Sequence, residues 1–360
     1  SPINRLHSSN SAFTSKEPWR YSRDARATME AHLRLRHRLV PYLYTWARRS
    51  VGEGIAPVRP VYHDHPRELA AYEHRGSFSF GDLLVVPFTS PLDVATGLGR
   101  ELTWLPDGVW YDVPTGRRYE ATTGGRGRML SLSRPLDRIG VLARAGSVIP
   151  LAGNLTEAAG DNPRELEIVV VPGGSGSFTL EEDDGSAQPG EGQIARTHMA
   201  LTWPEAEEED GTDVVLRIRL EGAAEVVPAS RLVTVRLLAG QVAGAWLGVG
   251  ERARRLATEE VSGDGFTLGA GTLVHLEELS RQELIDGVQL VLRGTKHSPA
   301  DWRDEVHAIL DAARVEYMAK DLAWDAVQRG LSGTALLGEL EALGLPETLR
   351  AAVAEVLPHS

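Results

Sequence analysis

The chain has 360 residues, of which 42% are hydrophobic and 24% are charged, and its formal net charge is −12. These values are typical of a soluble globular protein with more than one domain. The acidic balance argues against nucleic acid as a partner, because binding to phosphates requires clustered Lys and Arg. No apolar run approaches the roughly 18 residues of a membrane-spanning helix, so we expect no membrane partner.

Cys is absent from the sequence, which excludes disulfides and Cys-ligated metals. The absence fits a reducing compartment, and we expect a cytoplasmic location. The Gly-rich segments GGRGR and PGGSGS lack the strand-then-helix context and the Lys of a phosphate-binding loop. We therefore expect no cofactor.

The first predicted elements are a loop over residues 1–24 and a long helix over residues 25–50. Apolar residues recur near helical spacing through the second segment. Pro41 predicts a kink or a division of this helix, because proline lacks an N–H and its ring clashes with the preceding turn. The many Arg residues of the helix are expected to face solvent or another domain.

The next prominent feature is the apolar run Leu83–Val86, in the segment FGDLLVVPF. A continuous apolar run of this length predicts a parallel strand that is buried on both faces. A helix followed by such a strand is typical of an α/β unit.

From about residue 90 the pattern changes to short strands separated by turns, which indicates an all-β region. A loop at about residues 152–164 divides this region into two parts. Beyond about residue 280 the chain becomes Leu-rich and amphipathic. There Ser298 is the predicted cap and Pro299 the first residue of a helix.

Seven segments of the chain, in this order, resemble the C-terminal half of glycoside hydrolase family 31, the α-glucosidase and α-xylosidase group. The matching segments are SPINRLHSSN with KEPWRY, LRHRLVPYLYT, PVRPVYHDHP, FGDLLVVPF, WLPDGVWYDVPTG, VLARAGSVIPL and SFTLEEDDGSA. The first three are similar to the loop after the seventh barrel strand, the following helix and the next connection. The fourth is similar to the eighth strand, and the rest to the β-domains behind the barrel.

The resemblance implies a multidomain fold of α/β and all-β parts, in which the end of a (β/α)8 TIM barrel precedes two β-sandwich domains and a helical C-terminal extension. The implied boundaries are 1–90 for the barrel portion, 91–153 for the proximal sandwich, 154–280 for the distal sandwich and 281–360 for the extension.

The resemblance also implies a sugar-binding site at the start of the chain. In the family, the His of the R-x-H motif contacts the sugar in the −1 subsite, and this role falls on His7. Arg5 would orient the loop or His7 through a charge-assisted hydrogen bond. Trp19 is a candidate aromatic platform near the +1 sugar, although a loop Trp more often packs against neighbouring strands.

The family cleaves glycosidic bonds with net retention, which needs a nucleophilic carboxylate and an acid/base carboxylate about 5–5.5 Å apart. In the family both are Asp residues on earlier barrel strands, and the nucleophile lies in a W-x-D-M-N-E-type segment. No segment of this sequence matches it. We therefore expect no catalytic residue here, an oligosaccharide substrate, and an N-terminal half of the same enzyme as a candidate partner.

Other interpretations stay open at this point. For the intact enzyme, α-glucosidase is favoured over α-xylosidase because it is the commoner activity in the family. A non-catalytic carbohydrate-binding or structural β-sandwich protein would also explain residues 90–280. The segment YHDHP offers His63, Asp64 and His65, and an H-x-H pair can ligate a metal. The segment lies in a Pro-bounded connection with no third ligand nearby, so a surface loop is favoured. The segment EEDDGSAQPGE lacks the ligand spacing of a calcium loop and predicts a hairpin turn.

Overall fold

The structure is a computed structural model that describes residues 16–358 except 123, 158–159, 187–188, 206–210, 249, 251–252 and 265–266. No α-helix in this part of the chain is long and apolar enough to cross a membrane. The helices are α1 (Arg23–Arg38), α2 (Val40–Glu53), α3 (Val61–Asp64), α4 (Leu69–Glu73), α5 (Arg281–Asp286), α6 (Trp302–Ala312), α7 (Tyr317–Gln328), α8 (Gly333–Ala342) and α9 (Glu347–Val356).

Helices α1 and α2 form a helical arm at the start of the described chain. The predicted division at Pro41 is confirmed, since α1 ends at Arg38 and Pro41 lies in the first turn of α2. A proline is tolerated in a first turn because the N–H groups there have no partner within the helix. Gly54, with a φ of 73°, ends α2 in the left-handed conformation that favours glycine.

A six-stranded sheet, called the proximal sheet here, follows the arm. Its strand order is β1-β2-β3-β8-β5-β6, and each strand is antiparallel to its neighbours. Beside it, strands β4 and β7 form an antiparallel two-stranded ribbon. The strands are β1 (Val58–Pro60), β2 (Phe78–Phe80), β3 (Leu83–Val86), β4 (Gly99–Leu105), β5 (Val109–Asp112), β6 (Arg118–Glu120), β7 (Arg128–Arg134) and β8 (Gly140–Arg144).

The prediction that Leu83–Val86 is a parallel barrel strand was wrong. This strand, β3, runs antiparallel to both β2 and β8. It is apolar throughout because its two faces enter different cores: Leu83 and Val85 point into the largest hydrophobic cluster, whereas Leu84 and Val86 point into a separate cluster with Trp104. A continuous apolar run therefore indicates that both faces of a strand are buried, but it does not indicate whether the neighbouring strands are parallel or antiparallel.

Two further sheets make up the distal part of the chain, and they share the largest hydrophobic cluster. The five-stranded sheet has the order β18-β19-β14-β10-β9, and the seven-stranded sheet, in which β15 also pairs with β20, contains the path β11-β12-β13-β20-β16-β17. The strands are β9 (Val148–Ala152), β10 (Glu165–Val170), β11 (Gly176–Asp183), β12 (Ile194–Thr202), β13 (Thr212–Gly222), β14 (Ser230–Leu238), β15 (Gly240–Gln241), β16 (Gly244–Leu247), β17 (Arg254–Leu256), β18 (Thr258–Val261), β19 (Gly271–Ser280) and β20 (Val288–His297).

Strand pairing crosses each of the boundaries expected from the sequence. Strand β3 pairs with β8 across residue 90, β9 pairs with β10 across residue 153, and β20 returns after residue 281 to pair with β13. A hydrogen-bonded sheet can combine strands that are distant in the chain, and turn composition does not record which strands pair.

The last four helices, α6 to α9, form a helical module over residues 302–357. They enclose a hydrophobic cluster of their own, separate from the clusters of the sheets. The first helix of the module begins at Trp302, with the Asp301 side chain accepting a hydrogen bond from the Arg303 N–H at 2.9 Å. The cap predicted at Ser298 was therefore three residues too early, because β20 continues to His297.

A buried ion pair holds the two distal sheets together. Arg231 on β14 is 1% exposed, and its Nη1 donates to Glu182 Oε2 of β11 at 2.8 Å. Its Nη2 donates to the other carboxylate oxygen, and its Nε donates to the Pro163 carbonyl at 2.9 Å. Both charged groups are buried away from water, so the charge of each group is compensated by the charge of its partner.

We expect Arg231→Met to lower the free energy of unfolding by about 3–5 kcal/mol, because the Glu182 carboxylate would stay buried without its partner. Urea denaturation followed by Trp fluorescence measures this change. Arg164→Met is the matched control, since it breaks an exposed pair with Glu278 at 2.9 Å and should cost at most about 1 kcal/mol. Equal losses in the two variants would contradict the assignment.

Candidate functional site

Of the three site residues predicted from the sequence, Trp19 is the one that lies within the described part of the chain. His7 and Arg5 lie outside it, and their roles stay predictions. Trp19 belongs to a 3-10 turn, Pro18–Arg20, just before α1, and Pro18 in this turn is buried. Its side chain does not pack into a neighbouring strand, because Trp19 is 67% exposed. An exposed indole is available for stacking, and the platform role stays a prediction as well.

The helical arm behind this turn presents an uncovered face. Within the described structure, none of the 16 residues of α1 is buried. Between α1 and the sheets lies a cavity of about 320 Å³. Its lining is mainly apolar and includes Leu35, Leu39, Phe78, Val85, Ile149 and Leu151. A helix that keeps its apolar side chains half exposed gains little from burial and depends on further contacts for its stability.

Tyr42 fixes α2 at the junction of the arm with two sheets. The side chain is fully buried, and its hydroxyl accepts a hydrogen bond from the Asp82 N–H at 2.7 Å and donates to the Phe80 carbonyl at 3.3 Å. Its ring stacks on Phe178 of β11, with the ring centroids 5.3 Å apart. Burial raises the pKa of Tyr42 above its ordinary value, so the hydroxyl stays protonated and keeps its donor.

Polar contacts attach α2 to the end of β11. The Glu181 N–H donates to Thr45 Oγ1 at 3.0 Å, and Arg48 Nε donates to the Glu181 carboxylate at 2.9 Å. One turn earlier, the Tyr44 hydroxyl donates to Asp183. Sequence analysis interpreted this acidic segment only as a turn. Tyr44 and Arg48, spaced by four on one helix face, were the pattern that could have indicated a docked helix.

The end of α1 is attached to the five-stranded sheet by Arg38. Its Nη2 lies 2.6 Å from the Glu167 carboxylate of β10, and its Nε donates to the Ala152 carbonyl at 3.1 Å. Arg236 of β14 also contacts Glu167 at 2.6 Å. Arg38 and Arg48, which were expected to face solvent or another domain, thus contact the two distal sheets.

The possible metal ligands of the HDH segment have other contacts. Asp64 accepts from Arg59 Nε and from the Ser79 hydroxyl, both at 2.6 Å. The His65 ring meets the edge of Trp104 with centroids 5.3 Å apart, and burial lowers the pKa of His65. Across the described residues, no group of three or more His, Asp or Glu side chains could hold a metal ion.

The buried carboxylates of the described chain are all held by cations or hydroxyls. Asp112 pairs with Arg134 at 3.0 Å, and Glu182 pairs with Arg231. Asp183 is bound by Tyr44, and Glu355 is bound by Arg134 at 2.5 Å. A general acid needs a raised pKa and access to the substrate. These four groups are shielded from solvent and paired, so they do not form a catalytic pair.

Comparison with known proteins connects this architecture to one enzyme family. The model for the glycosyl hydrolase family 31 C-terminal domain matches residues 54–149, and the model for the family 31 TIM-barrel domain matches residues 1–46. The C-terminal match thus includes β3, in agreement with its antiparallel pairing, and begins upstream of the boundary expected at residue 90.

Individual relatives agree with the family models. An α-xylosidase of Saccharolobus solfataricus is 29% identical over 211 residues, covering 58% of this chain and 27% of the relative. Lysosomal α-glucosidase of Mus musculus is 26% identical over 225 residues, covering 58% of this chain and 23% of the relative. The chain thus spans about a quarter of the length of these relatives.

Solved structures show the same fold over more of the chain. A GH31 dextranase of Flavobacterium johnsoniae has a TM-score of 0.59 at 17% identity and covers 78% of this chain and 34% of that one. A GH31 α-xylosidase of Xanthomonas citri has a TM-score of 0.51 at 26% identity and covers 63% and 23%, respectively.

The end of a TIM-barrel domain joined to antiparallel sheets places the chain among the multidomain glycoside hydrolases. Residues 1–46 and 54–149 match the TIM-barrel and C-terminal domains of glycoside hydrolase family 31, respectively. The resemblance stated from the sequence motifs is confirmed.

We expect Tyr42→Phe to lower the free energy of unfolding by about 1–2 kcal/mol, because the Asp82 N–H would lose its buried acceptor. Thermal and urea denaturation measure the change. Tyr72→Phe removes a hydroxyl that donates to the Pro66 carbonyl at 3.1 Å near the surface, and this control should change stability much less. A Tyr42 variant as stable as the control would contradict the anchoring role.

Proposed function

We propose that the chain supplies the sugar-contacting loop and the supporting C-terminal domains of a retaining α-glycosidase that releases terminal α-linked glucose from oligosaccharides. The observation that carries the proposal is the order of the two family matches, in which the TIM-barrel match over residues 1–46 contains the R-x-H motif. In this proposal Arg5 and His7 follow a barrel strand, where the active sites of TIM barrels are built.

The catalytic carboxylates would come from the earlier part of the same barrel. The proposal is supported by the absence of a W-x-D-M-N-E-type segment from the sequence. It is also supported by the role of the buried carboxylates described above, which are engaged in ion pairs. One upstream Asp would form the glycosyl-enzyme intermediate, and the other would protonate the leaving oxygen and then activate water.

The uncovered face of α1 supports a role for the rest of the barrel as the partner of this chain. The helix lies within the region matched by the barrel model, and within the described structure none of its residues is buried. The apolar cavity beside it offers further surface to cover. Covering this face would turn half-exposed apolar side chains into core, at about 25 cal/mol per Å² of buried apolar surface.

We also propose how the sheets divide into domains. The proximal sheet and the β4–β7 ribbon would form the proximal sandwich, since their facing side chains share a cluster that includes Leu105 and Leu132. The five-stranded and seven-stranded sheets would form the distal sandwich around the largest cluster.

An α-xyloside is the second candidate substrate. The observation in its favour is that the Saccharolobus solfataricus relative is named an α-xylosidase. Glucose and xylose differ by the hydroxymethyl group at C5. A pocket that accommodates this group favours the glucoside, and one that excludes it favours the xyloside. Comparing kcat/KM for p-nitrophenyl α-glucoside and p-nitrophenyl α-xyloside distinguishes the two candidates.

We expect the purified chain to be inactive on p-nitrophenyl α-glucoside and to become active when it is co-expressed with the N-terminal half that carries the first six barrel strands. In the complemented enzyme, His7→Ala should lower kcat by about 10²–10³-fold, the cost of removing one hydrogen-bonding group that acts on the transition state. Release of p-nitrophenol measures both effects.

His74→Ala is the control for this experiment, since His74 follows α4 and is not part of the R-x-H motif. Activity of the chain by itself would contradict the absence of a catalytic pair. Full activity of the complemented His7 variant would contradict the substrate contact.

We expect Trp19→Ala to raise KM for disaccharides about 2- to 10-fold in the complemented enzyme, because the stacking contribution of one aromatic ring would be lost. The KM for a monosaccharide aryl glycoside should change less, since the platform acts beyond the −1 sugar. Tyr21→Ala is a neighbouring control, at 46% exposure. Equal effects of Trp19→Ala on both substrates would exclude a +1 platform.

A further inference from the structure

One carboxylate of the helical module lies inside the proximal part of the chain. Glu355 of α9 accepts hydrogen bonds from four donors: Arg134 Nη1 at 2.5 Å, the Ser133 N–H at 2.6 Å, the Tyr119 hydroxyl at 2.7 Å and Arg117 Nη1 at 2.9 Å. Its side chain is 2% exposed. All four donors lie on β6, β7 and the turn before β6, so the pocket is formed by sheet residues and filled by a helix residue.

The proximal side of this pocket carries a net positive charge. Arg117 and Arg134 provide two positive charges, and Asp112, which pairs with Arg134 at 3.0 Å, provides one negative charge from the sheet side. Glu355 supplies a second negative charge, and Glu305 of α6 contacts the outer side of Arg117 at 2.6 Å. Burial by itself would raise the pKa of Glu355, but Arg134 and Arg117 outweigh it and hold this pKa below its ordinary value.

The free edge of β7 is covered by the same contact. Strand β7 pairs with β4 in the ribbon, and the Ser133 N–H donates to Glu355. An unpaired strand edge otherwise leaves N–H groups without a protein partner. The carboxylate thus accepts hydrogen bonds both from the two guanidinium groups and from a backbone N–H of β7.

Outside this pocket, two further hydrogen bonds join the module to the proximal part. The Arg314 N–H donates to the Ala95 carbonyl at 2.6 Å, and the Thr348 hydroxyl donates to Asp93 at 3.1 Å. The hydrophobic cluster of the module is distinct from the cluster beneath the ribbon. The module therefore has its own core, and its attachment does not rely on a shared one.

We propose that Arg117, Tyr119, Ser133 and Arg134 form a carboxylate receptor on the proximal part of the chain, and that the helical module docks by inserting Glu355 into it as a built-in ligand. The receptor accepts a carboxylate of suitable reach from another source when Glu355 is removed. Charge-assisted donors of this kind select anions such as carboxylates over neutral groups.

Chemical rescue of Glu355→Ala in the full chain tests the proposal. Hydrogen–deuterium exchange of the segments 128–134 and 347–357 should become at least about tenfold faster, since breaking a buried charge contact exceeds the 1.4 kcal/mol that a factor of ten represents. Added sodium formate or acetate should slow exchange in 128–134 again, relative to sodium chloride at the same ionic strength. Rescue would reveal an anion site, which loss of packing by itself would not produce.

Three further variants make the result decisive. Glu341→Ala removes an exposed carboxylate of α8 that pairs with Arg350, and it should leave exchange unchanged. Leu349→Ala, in the core of the module, should speed exchange in 347–357 without any response to formate. Glu355→Gln keeps the side-chain volume, folds with the charge removed, and should speed exchange in both segments.

Wild-type exchange in Glu355→Gln would overturn the proposal, and so would a Glu355→Ala variant that responds equally to chloride and formate. If Glu355→Ala does not fold, the Gln variant decides the question by the same exchange measurement. None of these readouts requires glycosidase activity, so the proposed function and the receptor can fail independently.

Discussion

The arrangement of this protein depends on the buried phenol of Tyr42. Its hydroxyl bonds to both sides of the β2–β3 turn, at Phe80 and Asp82, and its ring stacks on Phe178 of the seven-stranded sheet. One side chain therefore joins the helical arm, the proximal sheet and a distal sheet. The hydroxyl must be satisfied at this position because an unpaired buried polar group costs about 1–3 kcal/mol. This requirement fixes the position of α2.

Carboxylates have a structural role through most of the described chain. The acidic end of β11 binds the helical arm through Glu181 and Asp183, Glu182 joins the two distal sheets, and Glu355 attaches the helical module. Arg supplies the opposite charge in each case, and its planar group donates several hydrogen bonds in a fixed geometry. A buried ion pair is costly to assemble but also costly to break, so each pair fixes the position of one part of the chain relative to another.

Sequence patterns predicted some features of the fold well, whereas the roles of Arg5, His7 and Trp19 stay predictions. The division of the first helix at Pro41 followed from the geometry of proline, and the family followed from ordered motifs around barrel and sheet segments. The direction of β3 could not be predicted, because the apolar run Leu83–Val86 is equally compatible with parallel and antiparallel neighbours. The acidic segment near Glu181 and Asp183 was also interpreted only as a turn, since its partners on α2 lie more than 130 residues away.

By itself, the sequence determined the elements that depend on local chemistry: helices at 3.6-residue spacing, turns at Gly and Pro, and motifs whose order identifies the family. The tertiary structure decided which strands pair, which faces of β3 enter which core, and which Arg meets which carboxylate. The physical reason is the separation along the chain of the residues that interact. Propensity and periodicity act within a few residues, whereas the contacts of Glu355 with Arg134 and Tyr119 join positions more than 200 residues apart, and only the folded chain brings them together.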